Sequence, residues 1–280
     1  MSKKQTNVGL VTVAVFVATF MSAVEGTIVS TAMPTIVGDL HGVALMNWVF
    51  SIFLLTNALA TPIYGKLADT VGRKSVFLVG LFIFVLGSTL SGMSHSMETL
   101  IAWRALQGIG AGAIMPVSFT ILADIYPVEQ RARVMGLNGS AWGIAAVVAP
   151  LLGGFIVDQL SWHWIFFINI PIGIITIALI WFFLNETTER KAFTMDWFGS
   201  LWLSVGLLAM MLTFQLLGEG QINVLWVIIG FVVAIVAFAL FIRQEKRTAD
   251  PLIPMSLFSN RTFVIQNLIA ALLSGFIMGF

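Results

Sequence analysis

Cysteine is absent from this 280-residue sequence, which excludes disulfides, thiolate metal sites and thiol catalysis. Charge is scarce: 10% of residues are Asp, Glu, Lys or Arg, against about 25% in soluble domains. A soluble globular fold fails on that ground, and disorder fails because it needs low hydrophobicity and high net charge. The net charge is +1, so nothing points to nucleic acid as a partner. The few histidines, His41, His95 and His163, lack metal-ligand spacing, and no metal or other cofactor is expected. No nucleophile elbow or phosphate-cradling loop occurs, which argues against an enzyme. What is abundant is apolar: 59% hydrophobic residues, with 23 Phe and 13 Met, suited to lipid-facing walls and an adaptable interior.

The apolar residues form runs of membrane-crossing length, roughly 20 residues each. Such runs lie near 8–30, 47–65, 75–94, 99–122, 136–157, 162–184, 197–217, 222–242 and 262–280. The fold class they imply is all-α, a polytopic transmembrane helical bundle. The first run is no signal peptide: Lys3 and Lys4 mimic a charged leader, but the run is too long and contains Glu25. With the N-terminus in the cytoplasm, every Lys and Arg except Arg104 falls on the inner side of the first eight spans. The histidines fall outside with Asp39, Glu98, Asp158 and Glu219. This is the positive-inside pattern. The ninth run ends at Phe280 with no polar cap, as in a chain that stops early.

Span two contains Pro62-Ile-Tyr-Gly65 and span five Pro150-Leu-Leu-Gly153, and spans one and four each carry a buried charge. These echoes fit a three-plus-three inverted repeat, the plan of many secondary transporters. They also fit the ordinary abundance of Pro and Gly in membrane helices.

Glu25 and Arg104 are the costly residues, at about 2.5–3.5 kcal/mol each in hydrocarbon on insertion scales. Arg104 would lie about two turns, on the order of 10 Å, below the outer surface, at a depth comparable to Glu25. The two depths allow pairing. Burial and a nearby cation act on a carboxylate's proton affinity in opposite senses, so Glu25 is a candidate proton or cation site tuned by Arg104. The plainer alternative is a static ion pair joining two helices. Arg104, Gln107, Gly108, Ala111 and Met115 share one helical stripe. Gly108 with Gly112, and Gly139 with Gly143, read as close helix-packing pairs. The stretch Gly65-Lys-Leu-Ala-Asp69-Thr-Val-Gly72-Arg73-Lys74 reads as a tight inner turn, with Asp69 capping the next helix or pairing with Arg73. Asn57, Gln107 and Met115 are candidate cavity residues, with packing as the alternative. Trp142 and Phe119 are candidate cavity walls with the same alternative. Trp162, His163 and Trp164 sit where an aromatic belt is expected.

Several of these strings resemble known motifs. The Gly65–Lys74 stretch resembles the signature loop between helices two and three of the major facilitator superfamily. Leu100-Ile-Ala-Trp-Arg104-Ala-Leu-Gln107-Gly108-Ile-Gly110 resembles its helix-four motif, and Gly143 through Ala149-Pro150-Leu-Leu-Gly153-Gly154 resembles the helix-five motif of its antiporters. Glu25-Gly-Thr-Ile-Val-Ser-Thr-Ala-Met-Pro34, Asp196-Trp-Phe-Gly199 and Pro251-Leu-Ile-Pro-Met-Ser-Leu-Phe258 are similar to the 14-span drug:proton antiporter branch, in particular to multidrug efflux proteins of Gram-positive bacteria. Ala149 stands where the helix-five motif usually has Gly, and Glu25 where many relatives have Asp.

The resemblance implies a major-facilitator fold: a six-helix domain over 1–190, two linker helices over 191–245, and a loop and first helix of an incomplete second domain over 246–280. It implies proton coupling at Glu25 and Arg104, a cytoplasmic gate at Gly65, Asp69, Gly72, Arg73 and Lys74, and an antiporter helix carrying Gly143, Pro150, Gly153 and Gly154. The implied activity is drug:proton antiport in a bacterial cytoplasmic membrane. Its partners would be the lipid bilayer, protons, small lipophilic drug-like substrates, and a separate C-terminal half or another copy. The alternatives are a transporter of another small solute and a truncated, transport-inactive membrane protein.

Overall fold

The computed structural model describes residues 6–186, 196–218, 223–248 and 251–278, with side chains to residue 273 in the last stretch. Lys3, Lys4, Glu219 and the inner-side Arg190 and Lys191 lie outside the described residues, as does the boundary at 190. Among the described residues the regular structure is helical and no strand occurs. The helices are α1 (Val8–Leu40), α2 (Met46–Val71), α3 (Arg73–Gly92), α4 (Met97–Ile125), α5 (Val128–Gln159), α6 (His163–Phe167), α7 (Asn169–Phe183), α8 (Trp197–Gly218), α9 (Val224–Glu245) and α10 (Arg261–Met278). Counting α6 and α7 as one segment, eight among the described residues are long and apolar enough to cross a membrane. Of α10, Arg261–Leu273 forms a shorter apolar helix among the described residues. Helices suit this setting because hydrocarbon offers no partner for a free backbone N–H or C=O.

The chain divides into two compact units, Met1–Phe193 and Thr194–Phe280. In the first, α4 packs against both α2 and α3, while α5 packs mainly on α1. Small residues make the α4 contacts possible. A Cβ on Gly110 would stand 2.2 Å from the Phe84 backbone N of α3. On Gly108 it would stand 2.5 Å from the Phe53 carbonyl oxygen of α2, and on Gly112 2.7 Å from Ala60 Cβ. Gly108 and Gly112 are therefore packing glycines, as their spacing suggests. Gly139 and Gly143 are not: a Cβ on either meets nothing within 4 Å. The face of α5 they occupy is open, with Leu137, Ile144, Val147 and Leu151 more than half exposed.

Helix ends depart from the apolar runs. α1 reaches Leu40 through Pro34, which puts Glu25 near its middle. Its start is capped by Asn7, whose side chain accepts from the Leu10 N–H at 3.2 Å. α4 opens with a capping box between Ser96 and Thr99. The expected single span over 162–184 is broken at Ile168 into α6 and α7. Pro171 lies one turn on and has no N–H to offer the Phe167 carbonyl, which interrupts the ladder there. Trp162 is packed inside the bundle. It is 1% exposed, its Nε1–H donates to Asp39 at 2.8 Å, and His163 stacks on its ring. Trp164 is half exposed.

In the second unit, α8 and α9 pack together. Asp196 accepts from the Gly199 N–H at 2.8 Å, Thr248 Oγ1 at 2.8 Å and Gln244 Nε2 at 3.1 Å, capping α8 and tying it to the end of α9. Burial raises the Asp196 carboxyl, and these donors outweigh it, holding the group below its ordinary value. Glu245 is 3% exposed and accepts from the Ile253 N–H at 2.9 Å.

Candidate functional site

The polar centre of the first unit is built from single residues on several helices. Glu25 comes from α1 and Arg104 from α4, and each is 1% exposed. The Arg104 guanidinium is ion-paired to Glu25 Oε1 and donates to Gln107 Oε1 at 2.8 Å. Its Nε–H reaches the Val49 carbonyl of α2 at 3.4 Å, and its carbon centre lies 4.1 Å from the Phe53 ring centroid. The cation is thus matched by one carboxylate, two neutral oxygens and an aromatic face, in a site closed to solvent.

The other carboxylate oxygen is held by a residue the sequence reading passed over. Asn169, first residue of α7, donates from Nδ2 to Glu25 Oε2 at 2.8 Å and to Ser88 Oγ of α3 at 2.9 Å. Ser88 donates in turn to the Phe166 carbonyl at 2.9 Å. The available signal was an amide inside an apolar run, the same that drew attention to Asn57. The network joins α1, α2, α3, α4, α6 and α7 around one carboxylate. Chemically it can hold a charge pair, exchange a proton on Glu25, and register that exchange as a change in what Arg104 and Asn169 bind.

The three candidate cavity residues have separate surroundings. Gln107 is fully buried on Arg104, and among the described residues its Nε2 has no hydrogen-bond partner. Asn57 is half-buried and accepts from Thr61 Oγ1 at 3.3 Å, while Met115 is 39% exposed. An open apolar groove of about 360 Å³ lies instead between α1 and α5, lined by Phe16, Phe20, Leu137, Ala141 and Ile144. Phe16 and Phe20 are one helical turn apart, a spacing readable in the sequence. Trp142 is 41% exposed and Phe119 partly buried.

The inner turn is confined to one residue. α2 runs to Val71 with Gly65 inside it, and Gly72 alone separates it from α3. Gly72 takes φ 117°, a value that strains other residues. Asp69 does not cap α3; its carboxylate lies 3.7 Å from Arg73, which is also ion-paired to Asp124 of α4. Lys74 donates to the Trp181 and Leu184 carbonyls at 2.7 and 2.6 Å, covering the end of α7. Its backbone N–H donates to Glu186 at 3.3 Å. Asp124 and Glu186 had no signal in the sequence beyond their charge.

On the antiporter-like helix, a Cβ on Gly153 would meet Ile28 and Thr31 of α1 at 3.1 Å, whereas Gly154 and Gly143 meet nothing within 4 Å. Pro150 lies inside α5 and faces outward. Its echo at Pro62 is not repeated in packing, since Gly65 has no close neighbour.

Comparison with known proteins bears on this arrangement. The chain is 41% identical over 272 residues to the multidrug transporter protein MdtP of Bacillus subtilis, covering 97% of this chain and 50% of that protein. It is 38% identical over 273 residues to multidrug resistance protein 3 of the same organism, covering 97% of this chain and 53% of that one. The chain thus spans about half the length of the curated relatives it matches. Among solved structures, the human organic anion transporter MFSD10 superposes with a TM-score of 0.58 at 17% identity, covering 86% of this chain and 72% of that one. At that identity the likeness speaks for the fold alone. The family model of the Major Facilitator Superfamily matches residues 15–280. With eight membrane-length helices and that match, this is a multi-pass membrane protein, and the chain belongs to the Major Facilitator Superfamily.

Proposed function

We propose that this chain is part of a proton-driven multidrug efflux antiporter of a bacterial cytoplasmic membrane, with its N-terminus in the cytoplasm. The observation that carries the reading is the Glu25–Arg104 pair, a charge couple closed off from solvent inside a membrane bundle. Intramembrane ionisable residues are expensive and commonly mark proton or substrate paths. Relatives named as a multidrug transporter and a multidrug resistance protein support the drug-like cargo, and the helix-five resemblance supports export.

In this reading a proton arriving at Glu25 cancels the carboxylate charge. Arg104 then keeps Gln107, the Val49 carbonyl and the Phe53 and Phe166 rings. That differential contact biases the domain between its inward and outward arrangements. A lipophilic cation competes with the proton for the same negative charge. Each charge moving down the potential supplies about 2.3 kcal/mol per 100 mV. Asp69, Arg73 and Lys74 form the inner gate, and Pro150, Gly153 and Gly154 the antiporter segment of α5. Residues 1–190 are the first transporter domain, 191–245 two linker spans, and 246–280 the start of a second domain, as in the 14-span branch. Alternating access rocks one half against the other, so a second half, or another copy, completes the pathway.

The test is efflux of a lipophilic cationic dye from a drug-sensitive bacterium lacking its own pumps. The chain is expressed with and without a co-expressed C-terminal half from a relative. Uncoupler-sensitive efflux, abolished by Glu25→Gln while membrane insertion persists, is the expected result. Full efflux by the Glu25→Gln variant overturns the proton-site assignment.

A further inference from the structure

We propose that Asn169, anchored by Ser88, is a positioning residue that fixes the Glu25 carboxylate and sets the pH at which it exchanges its proton. The inference rests on the proton-site reading of Glu25 and extends it to a residue on the α6–α7 break.

Donor bookkeeping fixes the direction of the network. The Ser88 hydroxyl has one hydrogen, and it points to the Phe166 carbonyl at 2.9 Å. Ser88 can therefore only accept from Asn169, which makes the atom 2.9 Å away the amide nitrogen. The second hydrogen of the same NH2 group goes to Glu25 Oε2 at 2.8 Å. Flipped, the amide would turn its oxygen toward the carboxylate and lose both bonds. Ser88 is fully buried and Asn169 is 4% exposed, so water does not substitute for either. A donor locked toward a carboxylate oxygen distinguishes the ionised acid from the protonated one.

The groups facing Glu25 are few. The charge is Arg104 on α4, with Gln107 beside it. α3 contributes Ser88, and α6 the Phe166 carbonyl that anchors it. α2 offers the Val49 carbonyl and Phe53 to the arginine. The buried face of α5, which packs mainly on α1, carries Asn138, Ala141, Ala145, Ala149, Gly153 and Ile156, none charged. Asn169 is the direct partner of Oε2 at the helix break. A shift of α7 against α6 therefore changes what holds the proton site.

The full chain in lipid nanodiscs tests this by infrared difference spectroscopy with isotope-labelled glutamate, the Glu25 carboxyl being identified by its loss in Glu25→Gln. Asn169→Leu is expected to displace the midpoint of the Glu25 titration by about one pH unit. Ser88→Ala, which leaves the amide in place without its anchor, is expected to displace it in the same sense by less. Ser88→Ala keeps the question answerable if Asn169→Leu does not fold. Unchanged midpoints in the folded variants, with only a lower melting temperature, would mean a purely structural role and overturn the inference. A Glu25 band that does not titrate in the parent chain would overturn the proton-site reading and this extension together. Because that failure appears in the parent, it is distinguishable from the first.

Discussion

Removing one partner of the Glu25–Arg104 pair should cost about as much as removing both. Each partner is 1% exposed, so removing one leaves an uncompensated charge that neither water nor lipid can solvate. For buried pairs that penalty is about 3–5 kcal/mol, whereas replacing both partners with apolar groups of similar volume is often close to neutral. Here the double replacement also strips acceptors from Asn169 and donors from Gln107, at about 1–3 kcal/mol for each group left unsatisfied. Glu25→Leu and Arg104→Met should therefore each destabilise by about 3–5 kcal/mol, and the double variant by less than the two added together. At ~2–4 °C per kcal/mol for a domain of this size, each single variant should melt on the order of 10 °C lower. The assay is thermal unfolding of the detergent-solubilised chain, followed by near-UV circular dichroism, across the complete double-mutant cycle. Single effects that add in the double variant to within about 0.5 kcal/mol would show no coupling and refute the reasoning.

Three further outcomes follow from packing and capping. Gly110→Ala places a Cβ 2.2 Å from the Phe84 backbone N and should cost about 1–3 kcal/mol in a melt, whereas Gly143→Ala, with nothing within 4 Å, should leave the chain at least as stable. Trp162→Phe removes the Nε1–H bond to Asp39 and should cost about 1.5–3 kcal/mol, with a smaller loss when Asp39→Asn is already present. Asp196 is held below its ordinary value, so its contribution is complete above about pH 4 and is lost as pH falls through the lower folded value. Asp196→Ala should therefore flatten that acidic limb in a stability–pH series and lower stability at neutral pH by about 0.5–2 kcal/mol through the lost cap.

How much of this was legible depended on the kind of signal. Glu25 and Arg104 stood out because a charge in an apolar run is expensive wherever the helix turns out to lie. Their comparable depths allowed pairing. Asn169 could not be ranked above Asn57, because an amide's role depends on whether a neighbouring helix brings it a carboxylate. Here α1 does so for Asn169, while Asn57 is left with Thr61, one turn along its own helix. The two Gly-x-x-x-Gly pairs look alike in sequence, yet Gly108 and Gly112 meet α2 and Gly139 and Gly143 meet nothing. Spacing shows that two glycines share a face without showing what that face packs against.

The sequence by itself determined the solvent and the element type. Runs of about 20 apolar residues impose helices, because lipid leaves the backbone no other way to satisfy its polar groups. It also determined which residues would be costly to bury. Only the tertiary structure decided which helices meet, and with them the partner of each buried polar atom. Glu25, Ser88, Arg104 and Asn169 lie on four different helices, with Glu25 and Asn169 144 residues apart in the chain. Their convergence reflects the close approach of α4 to α2 and α3, with α1 and α7 set beside them, and no local periodicity encodes it.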